Sequence, residues 1–113
     1  MTYSLEDIIE GFAVEENLAI DCSEATYSQI IALENILNER TNARPHGGQS
    51  YSEHMIEYSS KYPFLTSKDN VVSSYKPHVK NCRDVILPIR EVLEIATNGD
   101  IEQYSDSDFD SVF

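Results

Sequence analysis

Apolar residues recur at helical spacing near the start of the chain. The first apolar face consists of Leu5, Ile8, Ile9 and Phe12. Steps of three and four residues place these side chains on one side of a helix. Ser4 directly precedes them and suits the N-cap position, because its hydroxyl can accept a hydrogen bond from the first turn. The pattern therefore predicts a first helix between Ser4 and about Val14.

A second helical stripe follows a short, ambiguous segment. Residues 17–22 alternate between apolar and polar as a strand does, but the run is short and has no obvious partner. Asp21 and Glu24 resemble a capping box, with Asp in place of the usual Ser or Thr. The apolar stripe behind them begins at Tyr27 and fades after Leu37, which predicts a second helix.

A third helix is predicted after the loop of residues 43–49. Ser50 and Glu53 form the S-x-x-E pattern of a capping box. Pro63 ends the run, because proline lacks the N–H that would continue the helical hydrogen bonds. One face of this helix carries Tyr51, Met55, Tyr58 and Tyr62. Residues 69–75 predict one further helical turn.

The longest helical pattern lies between Val79 and Ala96. Its apolar positions step by three and four, which is typical of a seam that faces a bundle interior. Pro88 interrupts the run and is expected to kink or split the helix. Four to five helices with short connections and few strand signals predict an all-α bundle with a kinked C-terminal helix.

Length and composition predict one domain and a tail. A chain of 113 residues is the size of a single domain, which the helical patterns assign to residues 1–99. Residues 100–113 are acidic and their second half lacks helical periodicity, so a flexible tail is expected there. The N-terminus lacks signal-peptide features, and no apolar run approaches the roughly 18 residues of a membrane span. A soluble, cytoplasmic protein is therefore expected.

Charge is segregated along the chain. All eight Lys and Arg residues lie between Arg40 and Arg90, and both flanking segments carry only acids. The formal net charge is −12. Such a field favours basic protein surfaces and disfavours direct binding to nucleic acid or to anionic membranes. The expected partner is a protein with a basic surface; the plainer alternative is an acidic surface that only maintains solubility.

Residues that carry chemistry are sparse. His54 has no second histidine at metal-ligand spacing. Cys22 and Cys82 fall on predicted apolar faces, where a thiol is usually inert, and whether they pair is left open. The Gly47–Gly48 pair lacks the GKS/T ending of a phosphate loop. The sequence therefore predicts no catalytic, metal or cofactor site and a protein that is not an enzyme.

The acids of the N-terminal segment suggest a decoy for DNA. They are Glu6, Asp7, Glu10, Glu15 and Glu16. Acids three or four residues apart on a helix stand about 5–6 Å from each other, and duplex DNA carries one charge per about 1.7 Å of its axis. In size and charge the chain resembles DNA mimics, small acidic proteins, often from phages, that occupy DNA-binding clefts. The resemblance implies a cleft in a nucleic-acid-binding enzyme as the target.

The C-terminal residues carry a second resemblance. Residues 106–113 alternate acidic with apolar side chains and end on a phenylalanine. This segment resembles the acidic tip of bacterial single-stranded-DNA-binding proteins, which docks a Phe-sized pocket rimmed by bases. Here Ser111 and Val112 replace the usual acid and proline, and an ordinary solvated terminus is the alternative. The resemblance implies partner contacts by Asp106, Asp108, Phe109, Asp110 and Phe113.

Together these patterns predict a non-enzymatic acidic protein that binds and modulates or inhibits a nucleic-acid-processing protein through its basic cleft. The acids of the N-terminal segment would supply the field. Tyr51, Tyr58 and Tyr62 would serve as aromatic anchors if their helix face is open. A structural or assembly adaptor is the alternative, in which the Val79–Ala96 seam pairs with a second copy to form a homo-oligomer.

Overall fold

The chain alternates helices with the strands of one sheet. A computed structural model describes residues 3–76 and 83–97. The helices are α1 (Leu5–Ala13), α2 (Tyr27–Arg40), α3 (Tyr51–Tyr58) and α4 (Ile89–Ala96), with a 3-10 turn at His46–Gly48. The strands are β1 (Leu18–Asp21), β2 (Arg44–Pro45), β3 (Phe64–Lys68), β4 (Val71–Tyr75) and β5 (Val85–Pro88). The expected all-α bundle is therefore wrong, and the fold is mixed α/β.

The five strands form a mixed sheet in the order β2-β4-β3-β1-β5. Strand β1 lies inside the sheet, antiparallel to β3 and parallel to β5. The ambiguous residues 17–22 therefore contain a strand after all. Its partners come from positions far along the chain, Ile20 opposite Leu65 and Leu18 opposite Val85, which explains why no neighbouring segment pointed to them.

The predicted long C-terminal helix is wrong in its described part. Val85 to Pro88 pair with β1, and helix α4 starts only at Ile89. Proline interrupts a helix by removing one backbone donor, and here that donor is dispensable because Pro88 is the residue that precedes the helix. Pro88 thus marks a strand-to-helix boundary where the pattern predicted a kink. Residues 77–82 lie outside the described residues.

Residues 69–75 form the turn of a β-hairpin and strand β4, so the helical turn predicted there is wrong. Asp69 and Asn70 connect β3 to β4 and both have positive φ, 52° and 65°. Two residues of left-handed backbone make the tight turn whose twist matches paired strands, and Asp and Asn tolerate this conformation well. The turn sets the register that places Ser74 opposite Leu65.

Helix starts depend on local capping residues. Of the three starts predicted from such residues, two were correct. The hydroxyls of Ser4 and Ser50 accept the N3 backbone N–H in complete capping boxes, which confirms both starts. Helix α2 is capped by Thr26, with Gln29 completing the box, so the start predicted from Asp21 and Glu24 is wrong. Helix α3 ends at Tyr58, before Pro63 is reached.

Helices α1 and α3 cover the same face of the sheet. Ser67 of β3 donates a hydrogen bond to the Phe12 carbonyl of α1, and Ser74 of β4 meets His54 of α3. Helix α2 packs against α3 and α4. The largest fully buried core side chains include Ile8, Phe12, Ile20, Leu33, Leu37, Tyr51, Met55, Leu65 and Leu93. The helices and this face of the sheet therefore enclose the core between them.

Several predicted features fall outside the described residues. They include the tail of residues 100–113 with its five proposed contact residues, and Cys82. Cys22 is described and buried, and burial raises the pKa of its thiol. Within residues 3–76 and 83–97, no helix is both long and apolar enough to cross a bilayer.

Candidate functional site

The three predicted tyrosine anchors divide into one buried residue and two that line a cavity. Tyr51 is fully buried, and its hydroxyl donates to the Ala43 carbonyl at 2.6 Å. Burial also raises its pKa to about 12. Tyr58 and Tyr62 are half-buried and open onto a cavity between α3 and β4. The helix face is thus closed at Tyr51 and open at the other two rings.

This cavity, here called the ring pocket, has a volume of about 370 Å³. It is lined by His46, Gln49, His54, Tyr58, Tyr62, Val72, Ser73 and Ser74. Its size falls within the range of about 300–1,000 Å³ typical of small-ligand sites. The lining combines aromatic faces with hydroxyl, amide and imidazole groups, and it contains no Lys or Arg among the described residues.

His54 stands at the inner wall of the ring pocket. It is 5% exposed, and its Nε2 lies 2.8 Å from the Ser74 Oγ. Its Nδ1 is buried and has no hydrogen-bond partner among the described residues. Burial lowers the pKa of His54, and the Glu57 carboxylate opposes that shift only in part. The imidazole is therefore neutral at pH 7.

The hydrogen bonding of His54 argues against a serine nucleophile at Ser74. A buried N–H without an acceptor costs more than an unpaired lone pair, so the favoured tautomer carries its proton on Nε2. In that form His54 donates to Ser74 and cannot remove the serine proton. No carboxylate bonds to Nδ1 among the described residues to reverse this preference. The pair is better suited to holding the pocket wall in place.

Three rings form a ladder along the pocket. The His54 and Tyr58 ring centroids lie 4.8 Å apart and tilted, and those of Tyr58 and Tyr62 lie 6.2 Å apart edge to face. The Lys76 ammonium stands over the Tyr62 ring, 5.5 Å from its centroid. That distance is within the range of a cation–π contact. The Tyr62 ring thus already makes a cation–π contact with Lys76 of the same chain.

A carboxylate lies at the rim of the ring pocket. The Gln49 side-chain N–H donates to the exposed Glu57 carboxylate at 2.8 Å. This bond uses the amide's donor side and leaves its carbonyl oxygen as an acceptor. Glu57 is close enough to His54 to act on its pKa. The rim therefore carries the Glu57 carboxylate and a free amide oxygen beside the Lys76 ammonium.

A second concavity, here called the end groove, lies where α1 begins and where α2 and α4 end. Its volume is about 590 Å³, and it is lined by Tyr3, Ser4, Leu5, Glu6, Arg40, Glu94, Ile95 and Ala96. Leu5, Ile95 and Ala96 are half-buried and form an apolar floor. Arg40 crosses it to pair with Glu6 at 3.3 Å. The groove thus offers an apolar floor with charges at its edge.

The predicted acidic residues differ in how much charge they leave free. Glu6 is paired with Arg40, and Asp7 accepts the Ser4 N–H in the capping box. Glu16 accepts the backbone N–H of Asp69, which ties the end of α1 to the hairpin turn. Glu10 and Glu15 are exposed and have no base partner among the described residues. The free charge thus lies along α1 and just beyond it.

Helix α4 adds acids beside α1. Glu94 lines the end groove opposite Glu6 and pairs with Arg90 at 3.7 Å, an exposed contact. Exposed pairs of this kind contribute about 0–1 kcal/mol and are easily replaced. Glu91 is exposed and has no base partner within the described ranges. Helices α1 and α4 therefore both carry exposed acids, and the sequence analysis had proposed partner contacts on only the first of them.

The ring pocket was missed from the sequence except for two of its tyrosines. His54 had been weighed only as a metal ligand, and no group of metal-ligating side chains occurs among the described residues. Ser74 is twenty residues from His54 and was assigned to a helical turn. The one available signal was the spacing of Tyr58 and Tyr62. A side-chain contact between a helix and a strand that are distant in sequence leaves no local pattern.

Comparison of the chain with protein-family models, with curated proteins and with solved structures finds no match. Function is therefore inferred from the residues of the chain itself.

Proposed function

We propose that this chain is a non-enzymatic acidic protein that binds a basic surface on a nucleic-acid-processing protein and modulates or inhibits it. The observation that carries the proposal is the exposed acidic charge on α1, just beyond it and on α4, two helices that also contribute residues to the end groove. Glu10, Glu15 and Glu91 are exposed and have no base partner among the described residues. Their charges can act on a partner because no base of the described residues pairs with them.

The physical argument concerns both rate and affinity. A chain of net charge −12 attracts a basic cleft over several ångströms before contact, which raises the association rate. The apolar floor of the end groove, formed by Leu5, Ile95 and Ala96, can then bury an apolar side chain of the partner. Charge selects the class of partner, and the floor supplies an attraction that salt does not screen.

The alternative, an adaptor that self-associates through its last helix, has less support. The seam that would pair with a second copy is divided between β5 and α4 in its described part. Val92 and Leu93 are buried in the core of the chain itself. These two side chains are therefore not available to a second copy, which leaves Ile86, 41% exposed on the edge strand β5, as the described seam residue that a second copy could reach.

The proposal is tested by displacement of labelled duplex DNA from purified nucleic-acid enzymes, such as a polymerase, a restriction endonuclease and a recombination nuclease. The chain should displace DNA from at least one of them and should itself bind none. Glu10→Lys should weaken displacement about fivefold, roughly 1 kcal/mol. Added salt should weaken it further, because exposed charges are screened.

Glu24→Lys is the matched control for this experiment. Glu24 is also exposed but lies ahead of α2, outside the acidic helices α1 and α4, and the substitution changes the net charge equally. Displacement that weakens alike in both variants would point to net charge alone. Failure to displace DNA from every enzyme in the panel would contradict the proposal.

A further inference from the structure

We propose that the ring pocket binds a guanidinium group, presented as an arginine side chain by the partner protein. The inference rests on the proposed function for its partner, although the chemistry of the pocket can be tested without one. The basic surface of the partner would insert this guanidinium into the ring pocket, which is separate from the end groove.

The first argument is the aromatic ladder. The Tyr62 ring already holds the Lys76 ammonium at 5.5 Å from its centroid, so the chain itself shows that this ring accepts a cation. Tyr58 lies beside it and lines the same cavity. A guanidinium is planar and weakly hydrated, and it stacks on aromatic faces better than an ammonium does.

The second argument is the arrangement of acceptors. A guanidinium carries five N–H donors and no acceptor. The carbonyl oxygen of Gln49 and the hydroxyls of Ser73 and Ser74 lie in the lining. Glu57 holds the amide of Gln49 from the rim and adds a carboxylate that a guanidinium can reach. The pocket therefore matches a ligand that only donates.

The third argument is charge. The described lining contains no Lys or Arg, and the Glu57 carboxylate at the rim offsets the Lys76 ammonium over Tyr62, so a phosphate or carboxylate ligand would gain little net attraction. A guanidinium would compete with the exposed Lys76 ammonium for the Tyr62 face, because it is the better stacking cation. A neutral heterocycle such as a nucleobase would also stack on tyrosine, but it would gain nothing from Glu57. Charge thus separates these ligand classes.

The test is a titration of the isotope-labelled full chain, followed by NMR at about pH 7.5, where His54 is neutral. The probe is a blocked Gly-Arg-Gly peptide, and its controls are the same peptide with citrulline, free arginine and adenosine. The arginine peptide should shift resonances of Tyr58, Tyr62 and Ser74 with a dissociation constant on the order of 1 mM, as expected of one side chain.

The citrulline peptide has nearly the same shape without the charge, and it should bind at least fivefold more weakly. Equal binding of the two peptides would overturn the assignment of a cation. If adenosine binds more tightly than the arginine peptide, the pocket is assigned to a neutral ring. If free arginine binds more tightly than the peptide, the bound guanidinium does not come from a protein side chain. Absence of any shift at the pocket would overturn the inference as a whole.

Three variants locate the contact. Tyr62→Leu should weaken the arginine peptide at least threefold, whereas Tyr62→Phe, which keeps the ring face, should bind within twofold of the unaltered chain. Glu57→Gln should weaken binding about threefold. Loss of binding in Tyr62→Phe would overturn the stacking geometry, and the unshifted spectrum of each variant verifies its fold.

The two proposals fail separately. If the arginine peptide does not bind but DNA displacement persists and depends on Glu10, the acidic surface stands and the pocket assignment falls. If the peptide binds the pocket but no enzyme releases its DNA, the guanidinium site stands and its partner belongs to another class.

Discussion

The end groove and the ring pocket bind by different physics. The end groove is open, with its charges on exposed side chains and its pairs at 3.3 and 3.7 Å. The ring pocket is set against a buried histidine and a ladder of stacked rings. Salt screens the exposed charges of both sites, but it does not screen the ring stacking and the buried His54 wall of the ring pocket. The comparison teaches that exposed charge near the end groove governs the association rate of a partner, whereas the shape of the ring pocket governs which bound group is retained.

The largest expected effect lies in the core beneath α1, the helix whose first residues line the end groove. Phe12 is fully buried under α1, and Phe12→Ala should lower the free energy of unfolding by about 3–5 kcal/mol, because it removes apolar contacts and leaves a cavity. Urea denaturation measures the change. Val14→Ala is the control, since Val14 is 71% exposed and should cost little. Equal losses in both variants would show that α1 is not fixed through its buried face.

The next effect concerns the support of the pocket. Tyr51→Phe removes the hydroxyl that donates to the Ala43 carbonyl, and that oxygen then keeps only the hydrogen bond from Arg44 Nη1. The expected loss is about 0.5–1.5 kcal/mol in the free energy of unfolding, which is less than for Phe12→Ala because no ring is lost. Tyr75→Phe, at a half-buried tyrosine on β4, is the comparison variant. A neutral result at Tyr51 would mean that the 2.6 Å bond adds nothing net.

The smallest effect is a pH dependence at His54. Its pKa in the folded chain lies below the ordinary 6.5, because burial disfavours the charged ring. The unfolded chain therefore binds the proton more tightly, so this contribution to stability is complete above about pH 6.5 and is lost as the pH falls. Urea midpoints at about pH 7 and pH 5 should differ less in His54→Gln than in the unaltered chain.

The control for that experiment is His46→Gln, whose side chain is exposed in the same pocket. It should keep the full difference between the two pH values. A difference that shrinks equally in both variants would place the titration elsewhere. A difference that is unchanged in His54→Gln would show that the buried ring does not titrate in this window.

Local signals predicted the features that depend on a few neighbouring residues. Ser4 and Ser50 were identified as helix caps because a capping box is complete within four residues. The spacing of Tyr58 and Tyr62 likewise placed the two rings side by side, although α3 ends at Tyr58 and Tyr62 lies beyond it. The alternation of Leu18 and Ile20 was visible, but the evidence that it formed a strand lay in partners more than forty residues away.

Long-range pairing explains most of what was missed. Val85 and Leu87 are apolar positions of β5, and their run fits a buried strand as well as the start of a helix. The spacing of apolar residues cannot distinguish a buried strand from the start of a helix, and Pro88 is compatible with a helix kink or with a strand-to-helix boundary. The His54–Ser74 contact has the same origin, since it joins a helix to a strand across the sheet. Such contacts leave no local signature in one sequence.

The position of β1 in the sheet also orders the events of folding. Residues 64–75 form a hairpin whose turn closes within a few residues, so it can assemble early. Strand β1 pairs with residues 64–65 on one side and 85–88 on the other, and closing those long loops costs entropy before any contact is gained. On the ribosome the N-terminal third must therefore wait, with its strand edges open, until most of the chain has emerged.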